Sequence, residues 1–247
     1  MDLGRLAPSG PSIALGLALL ALGVGGYIGA RETSVFAVER VEVQGGTPRA
    51  RAAVQQALAP ELGRSLLLVD GALIQRRLAP VPEVRSATFD RDFPHTLRIV
   101  VAPERPVLLL RRGKDGWVVS ARGRVLRQVK STRVSRLPRA WVPRDASIAV
   151  GTILAREDGA AAAAAVAPAA AGQFPGHIRF VKTGEKELTF VLASHSEVRL
   201  GDVGDLRLKL AVARRIFGSL TESTPVYIDV SVPERPVVGS LDSQVES

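Results

Sequence analysis

The sequence predicts an α+β protein carried on a single N-terminal membrane helix. Three observations support this: an uncharged apolar run near the start, a β-α-α-β-β order of patterns behind it, and a distal half whose apolar residues recur mostly at period two. The 247 residues allow one or two domains with a real core. No cysteine is present, so disulfide frameworks, thiolate metal sites and cysteine nucleophiles are excluded.

No charge occurs from Leu6 through Ala30, and residues 13–30 read IALGLALLALGVGGYIGA. As a helix these residues rise about 27 Å, close to the hydrocarbon thickness of a bilayer. A cleaved signal peptide is the rival reading, with Ala21 and Gly23 as small residues at suitable spacing, although its apolar core is normally shorter. A retained anchor implies residues 1–12 as a cytoplasmic tail, 13–30 as a transmembrane helix, and the remainder outside the cytoplasm.

Next, Val41 and Val43 alternate with polar residues and run into Gly45-Gly46, a strand and turn. Thr47 followed by Pro48 is a helix start, with Val54, Ala57 and Leu58 on the apolar face. A second helix starts at Asp70, buries Leu73, Ile74 and Leu78, and stops at Pro80 and Pro82. Val84, Ala87 and Phe89 then form a strand, Phe93-Pro94-His95 a turn, and Leu97, Ile99 and Val101 a strand at period two.

The distal half continues with a strand at Val107 to Leu110, a turn at Gly113 to Gly116, a strand at Trp117 to Val119, and another from Val125. Residues 159–172 are almost all alanine, interrupted by Val166 and Pro168; a thinly packed helix ended or kinked at Pro168 and a flexible insert are both open. Strands follow at Ile178 to Val181, Leu188 to Leu192 and Val198 to Leu200. Leu206, Leu210, Ala213 and Phe217 share one helical face, and a last strand spans Val226 to Val232.

The motifs Val41-x-Val43-x-Gly45, Gly63-x-Ser65-Leu66-x-x-Val69-Asp70, Pro82-x-Val84-x-x-Ala87 and Phe93-Pro94-x-Thr96-Leu97-x-Ile99-x-Val101 together resemble a POTRA domain. Behind one anchor and before Glu104-Arg105-Pro106, they resemble the bacterial cell-division family FtsQ, also called DivIB. Trp117-Val118-Val119-Ser120-x-x-Gly123-x-Val125, Val198-x-Leu200-Gly201, Lys209-Leu210 and Ile228-Asp229-Val230-Ser231-x-Pro233 are similar to the family's second domain. An aspartate is common in the family where Ser120 stands. The resemblance implies a POTRA domain over 35–104, an FtsQ-type β domain over 105–237 with helices on one side, and a C-terminal tail over 238–247.

Chemistry is hard to find. His95, His177 and His195 are far apart and lack neighbouring ligands at helical spacing, so no metal site is expected. Nucleophile-elbow, Walker A and H-E-x-x-H patterns are missing, and no cofactor is expected. The formal charge of +9 is local: residues 105–144 carry twelve basic side chains and one acid, Asp115, and the rest of the chain sums to −2. With only Trp117 and Trp141 as aromatics there, nucleic-acid binding is not expected. A solvated face, or weak contact with anionic lipid or wall polymers, accounts for the charge.

An anchored, non-catalytic chain works by binding, and a strand at a sheet edge can accept a partner's strand. The resemblance places this role on Tyr227, Ile228, Asp229, Val230, Ser231, Val232 and Pro233, with FtsB- and FtsL-type single-span proteins as partners and septal peptidoglycan synthases reached indirectly. An ordinary buried strand is the competing reading for the same residues. The expected function is a divisome scaffold in the cytoplasmic membrane at the division septum. The alternative is a POTRA-bearing chaperone or transport adaptor of the cell envelope.

Overall fold

The computed structural model describes residues 10–32, 34–130, 136–184, 187–220 and 225–241. Residues 1–9 of the expected cytoplasmic tail and 242–247 of the expected C-terminal tail lie outside them. The chain divides between Pro103 and Glu104 into two compact units.

In the first unit, α1 spans Gly10–Glu32 as one unbroken helix of 23 residues, about 34 Å long. Its leucines point outward on every side, Leu15 at 64% and Leu22 at 73% exposure, so no polar stripe balances an apolar one. Consecutive described side chains run only from residue 13 to 27. No helix is long and apolar enough, among the described residues, to cross a membrane.

The order β-α-α-β-β follows: β1 Arg40–Gln44, α2 Pro48–Leu58, α3 Gly71–Leu78, β2 Val84–Asp92 and β3 Thr96–Pro103. The strands lie in the order β1-β3-β2, with β1 parallel and β2 antiparallel to β3. Both helix starts use the caps written in the sequence. The amide of Ala50 donates to Thr47 Oγ1 at 3.1 Å and that of Ala72 to Asp70 Oδ1 at 3.2 Å, each removing one orphan donor of the first turn. Val54, Leu58, Ile74 and Leu78 pack against Leu97, Ile99 and Val101, and each fully buried aliphatic side chain contributes about 1.5–3 kcal/mol. Leu73 is only partly buried. Gln75 Nε2 donates to Ala87 O at 2.7 Å, tying α3 to β2.

The second unit is a nine-stranded mixed sheet among the described residues. Its strands are β4 Pro106–Arg112, β5 Asp115–Ser120, β6 Val125–Val129, β7 Arg139–Trp141, β8 Ile178–Thr183, β9 Leu188–Leu192, β10 Glu197–Gly201, β11 Val226–Asp229 and β12 Val237–Ser240. They lie in the order β12-β11-β10-β9-β8-β7-β4-β5-β6. Helices α4 Ala161–Pro168 and α5 Leu206–Phe217 share one face through a core including Leu108, Leu110, Phe190, Leu200 and Leu210. A smaller cluster, Leu109, Val118 and Leu126, occupies the other face near β4. This is why Leu108, Leu109 and Leu110 are all buried: the pleat sends Leu109 into the smaller cluster and its two neighbours into the main core, which Val107, beside a register irregularity, also joins.

The alanine run is a core helix. Ala162, Ala163, Ala165 and Val166 are completely buried, so small side chains here mean close approach to the sheet, contrary to the expectation of thin packing. Gly159, at φ 114°, lies where a Cβ would come within 2.8 Å of Leu110. The regular α segment ends at Pro168 and continues as a wider turn, Ala169–Gln173.

Candidate partner-binding edge

The sequence placed the terminal strand of the sheet at Tyr227–Pro233, and the structure corrects this. Tyr227, Ile228 and Asp229 belong to β11, which pairs in parallel with β10 and antiparallel with β12. Both its sides are occupied. Ile228 and Val230 are fully buried, and the Val230 amide donates to Arg199 O at 2.9 Å. Ser231, Val232 and Pro233 lie beyond the strand. There Asp229 Oδ1 accepts from the Ser231 amide at 2.9 Å and from Ser231 Oγ at 2.7 Å, an Asx-type turn, and the Arg235 amide donates to Val232 O at 3.0 Å in the turn that reverses the chain.

The reversal brings β12 back along β11, so the sheet ends at Val237–Ser240. Leu241 N donates to Pro225 O at 3.2 Å, which fixes the phase of the ladder. Hydrogen-bonded and non-hydrogen-bonded pairs alternate along antiparallel strands. Gly239 and Val237 therefore face inward to Tyr227 and Asp229, whereas the backbone groups of Val238 point to the open side. Val237 and Val238 are 53% and 43% exposed. The edge is apolar and lacks a charged side chain from Val237 to Ser240, so no charge blocks strand addition there, while its four residues limit the length of strand that can add.

The helix-free face beside this edge carries aromatic and charged side chains. The Arg199 guanidinium lies 4.4 Å from the Tyr227 ring centroid, and Glu197 is bracketed by Lys182 at 2.5 Å and Arg199 at 3.7 Å. Further along, Trp141 and Phe180 meet edge to face at 5.7 Å. These pairs stiffen the strands next to the edge and fix their register.

At one end of the strands a cleft of about 860 Å³ is lined by Trp141, Arg156, Glu157, Glu187 and Asp202 among others. Lys209, 4% exposed, donates to Asp202 Oδ1 at 2.7 Å and to Asp202 O at 3.1 Å. This hydrogen bond, then that from the Gly204 amide, hold the Asp202 carboxyl below its ordinary range. The carboxylate is thereby occupied in securing the β10–α5 turn. No group of three or more histidine, cysteine or carboxylate side chains gathers as a metal site among the described residues.

Within the basic segment 105–144 several arginines serve the fold. Arg112 donates to Ala146 O at 2.7 Å and lies 5.0 Å from the Trp117 ring centroid, and Arg122 pairs with the buried Glu104.

Residues 36–102 match the model of the FtsQ-type POTRA domain. Over 237 residues, 93% of this chain and 84% of the relative, the sequence is 29% identical to the cell division protein FtsQ of Streptomyces venezuelae. Both similarities support the FtsQ/DivIB family. They agree with the strand order and capped helices of the first unit, and the similarity runs on through the β-rich second unit. FtsQ-type proteins are bacterial cell-division proteins, which draws attention to surfaces for binding. Sequence reasoning missed the edge itself, β12, because only four residues follow Pro236 before the pattern ends, and Gly239 interrupts them.

Proposed function

We propose that this chain is a non-catalytic, single-span membrane scaffold of the divisome. It links early and late division proteins and regulates septal peptidoglycan synthesis by protein binding. Its partners are FtsB- and FtsL-type single-span proteins, and a strand from one of them adds to β12. The apolar edge strand Val237–Ser240, with the Val238 backbone directed outward, is the observation that carries this reading.

Helix α1 is the anchor. It is apolar all round, uncharged over 13–30 and about as long as a bilayer is thick. The N-terminus is cytoplasmic, both units are extracytoplasmic, and the protein gathers at the septum. Any weak contact of segment 105–144 with anionic lipid or wall polymers is secondary to strand addition.

Replacing Val238 with proline removes one outward donor and leaves the inward ladder in place. The variant keeps its melting temperature and loses at least about ten-fold in affinity for an FtsB-type partner, the effect of roughly 1.4 kcal/mol. Unchanged affinity in a titration of the two proteins sinks the proposal.

A further inference from the structure

The POTRA unit carries an apolar tip at its membrane-proximal end, and we infer that this tip rests in the lipid headgroup interface. The inference depends on α1 being the membrane anchor.

Val35 is 58% exposed and Phe93 50% exposed. They belong to one patch, because Phe36, next to Val35, meets the Phe93 ring edge to face at 5.5 Å. Three contacts pin the Phe93-Pro94-His95 turn to the segment that follows α1. The amides of Glu39 and Arg40 both donate to His95 O, at 2.9 and 3.2 Å, and His95 Nδ1 lies 3.1 Å from Ala37 O. Wherever residues 35–40 go, the Phe93 turn goes too. Asp92, at the base of the turn, is neutralised by Arg98 at 2.5 Å.

The chain length argues for lipid as the occupant. Val35 lies five positions beyond Ala30, the last residue of the uncharged run, a stretch that spans at most about 18 Å. The headgroup layer on each side of a bilayer is roughly 5–8 Å thick. The patch is thus confined to the neighbourhood of the interface at a local concentration in the millimolar range or above, where even weak apolar contact is populated. Phenylalanine is one of the side chains that interfacial elements place at the acyl boundary. The contact orients the first unit on the bilayer without any protein partner.

The absence of cysteine makes the test direct. Single variants Leu20→Cys, Val35→Cys, Phe93→Cys and Val100→Cys of the full chain carry a nitroxide label. They are reconstituted in vesicles of phosphatidylethanolamine and phosphatidylglycerol, and collisions with oxygen and with a water-soluble nickel complex are measured. Val100 is exposed at 45%, well along β3, and reports bulk water. The expected result is nickel accessibility at 93 and at 35 roughly two-fold or more below that at 100, with the label at 20 in the hydrocarbon. A label at 93 as water-accessible as that at 100, while 20 is in the hydrocarbon, overturns the inference and leaves the anchor standing. A water-accessible label at 20 overturns the anchor and the inference with it. Val35→Cys leaves the Phe36–Phe93 pair intact, so agreement between 35 and 93 rules out disturbance of the turn as the cause.

Discussion

The ring of Tyr227 lies across Gly239 of the neighbouring strand, so closely that a Cβ at position 239 would stand 2.5–2.7 Å from two ring carbons and the hydroxyl oxygen. The Arg199 guanidinium lies 4.4 Å from the centroid of the same ring. Tyr227 thus couples β10 to the edge strand, and glycine is what permits β12 to close against it. Gly239→Ala should force the ring or the strand aside at a cost of about 1–3 kcal/mol. Hydrogen exchange should show the β12 amides losing protection while those of β4 and β5 keep theirs.

Helix α4 should be intolerant of added volume. Ala163 has no exposed surface and packs in the main core, and interiors at this density have no room for three more carbons. Ala163→Leu should destabilise the second unit by about 1–3 kcal/mol or more, read as a lowered urea midpoint. Ala164→Leu, at an exposed position of the same helix, should leave it nearly unchanged.

Glu104 opens the second unit with its carboxylate almost wholly buried and held by the half-exposed Arg122, whose Nε donates to Oε1 at 3.0 Å. Removing the arginine strands a buried charge. Arg122→Met should cost about 1–3 kcal/mol, whereas the double variant Arg122→Met with Glu104→Leu should recover much of it, as thermal melts of both will show.

The Asp202–Lys209 contact gives a pH dependence of known sign. The folded Asp202 carboxyl is held below its ordinary value, so its contribution is complete above the usual carboxylate range and is lost as the pH falls through the depressed folded value. Asp202→Asn should melt below the parent at neutral pH. As the solution is taken below the ordinary carboxylate range, that difference should shrink towards zero.

Local signals explain what was legible in the sequence. Thr47-Pro48 and Asp70 mark helix starts by chemistry confined to a few residues, and Leu97, Ile99 and Val101 declare a strand by period alone. Where order depends on tertiary context, the residues are silent. The three residues of β7 lie close after Pro138 and before Pro143, yet they form a central strand because β4 and β8 pair with them on both sides. At β12 the same limitation misplaced the edge: Tyr227–Asp229 carries the better strand pattern, while the turn built on Asp229 and Ser231 allows a weaker segment to cover it. Alanine composition alone could not separate a thin helix from one pressed onto a sheet, since Gly159 and Leu110 meet only in the folded chain.

The account rests on strand addition at β12, and backbone amide exchange in the presence of an FtsB-type partner measures that directly. Addition of a strand should slow exchange at the outward-facing Val238 amide by roughly ten-fold or more while the inward-facing Val237 and Gly239 amides change little. Exchange at Val238 that stays at the free-protein rate, with the partner bound, would contradict it.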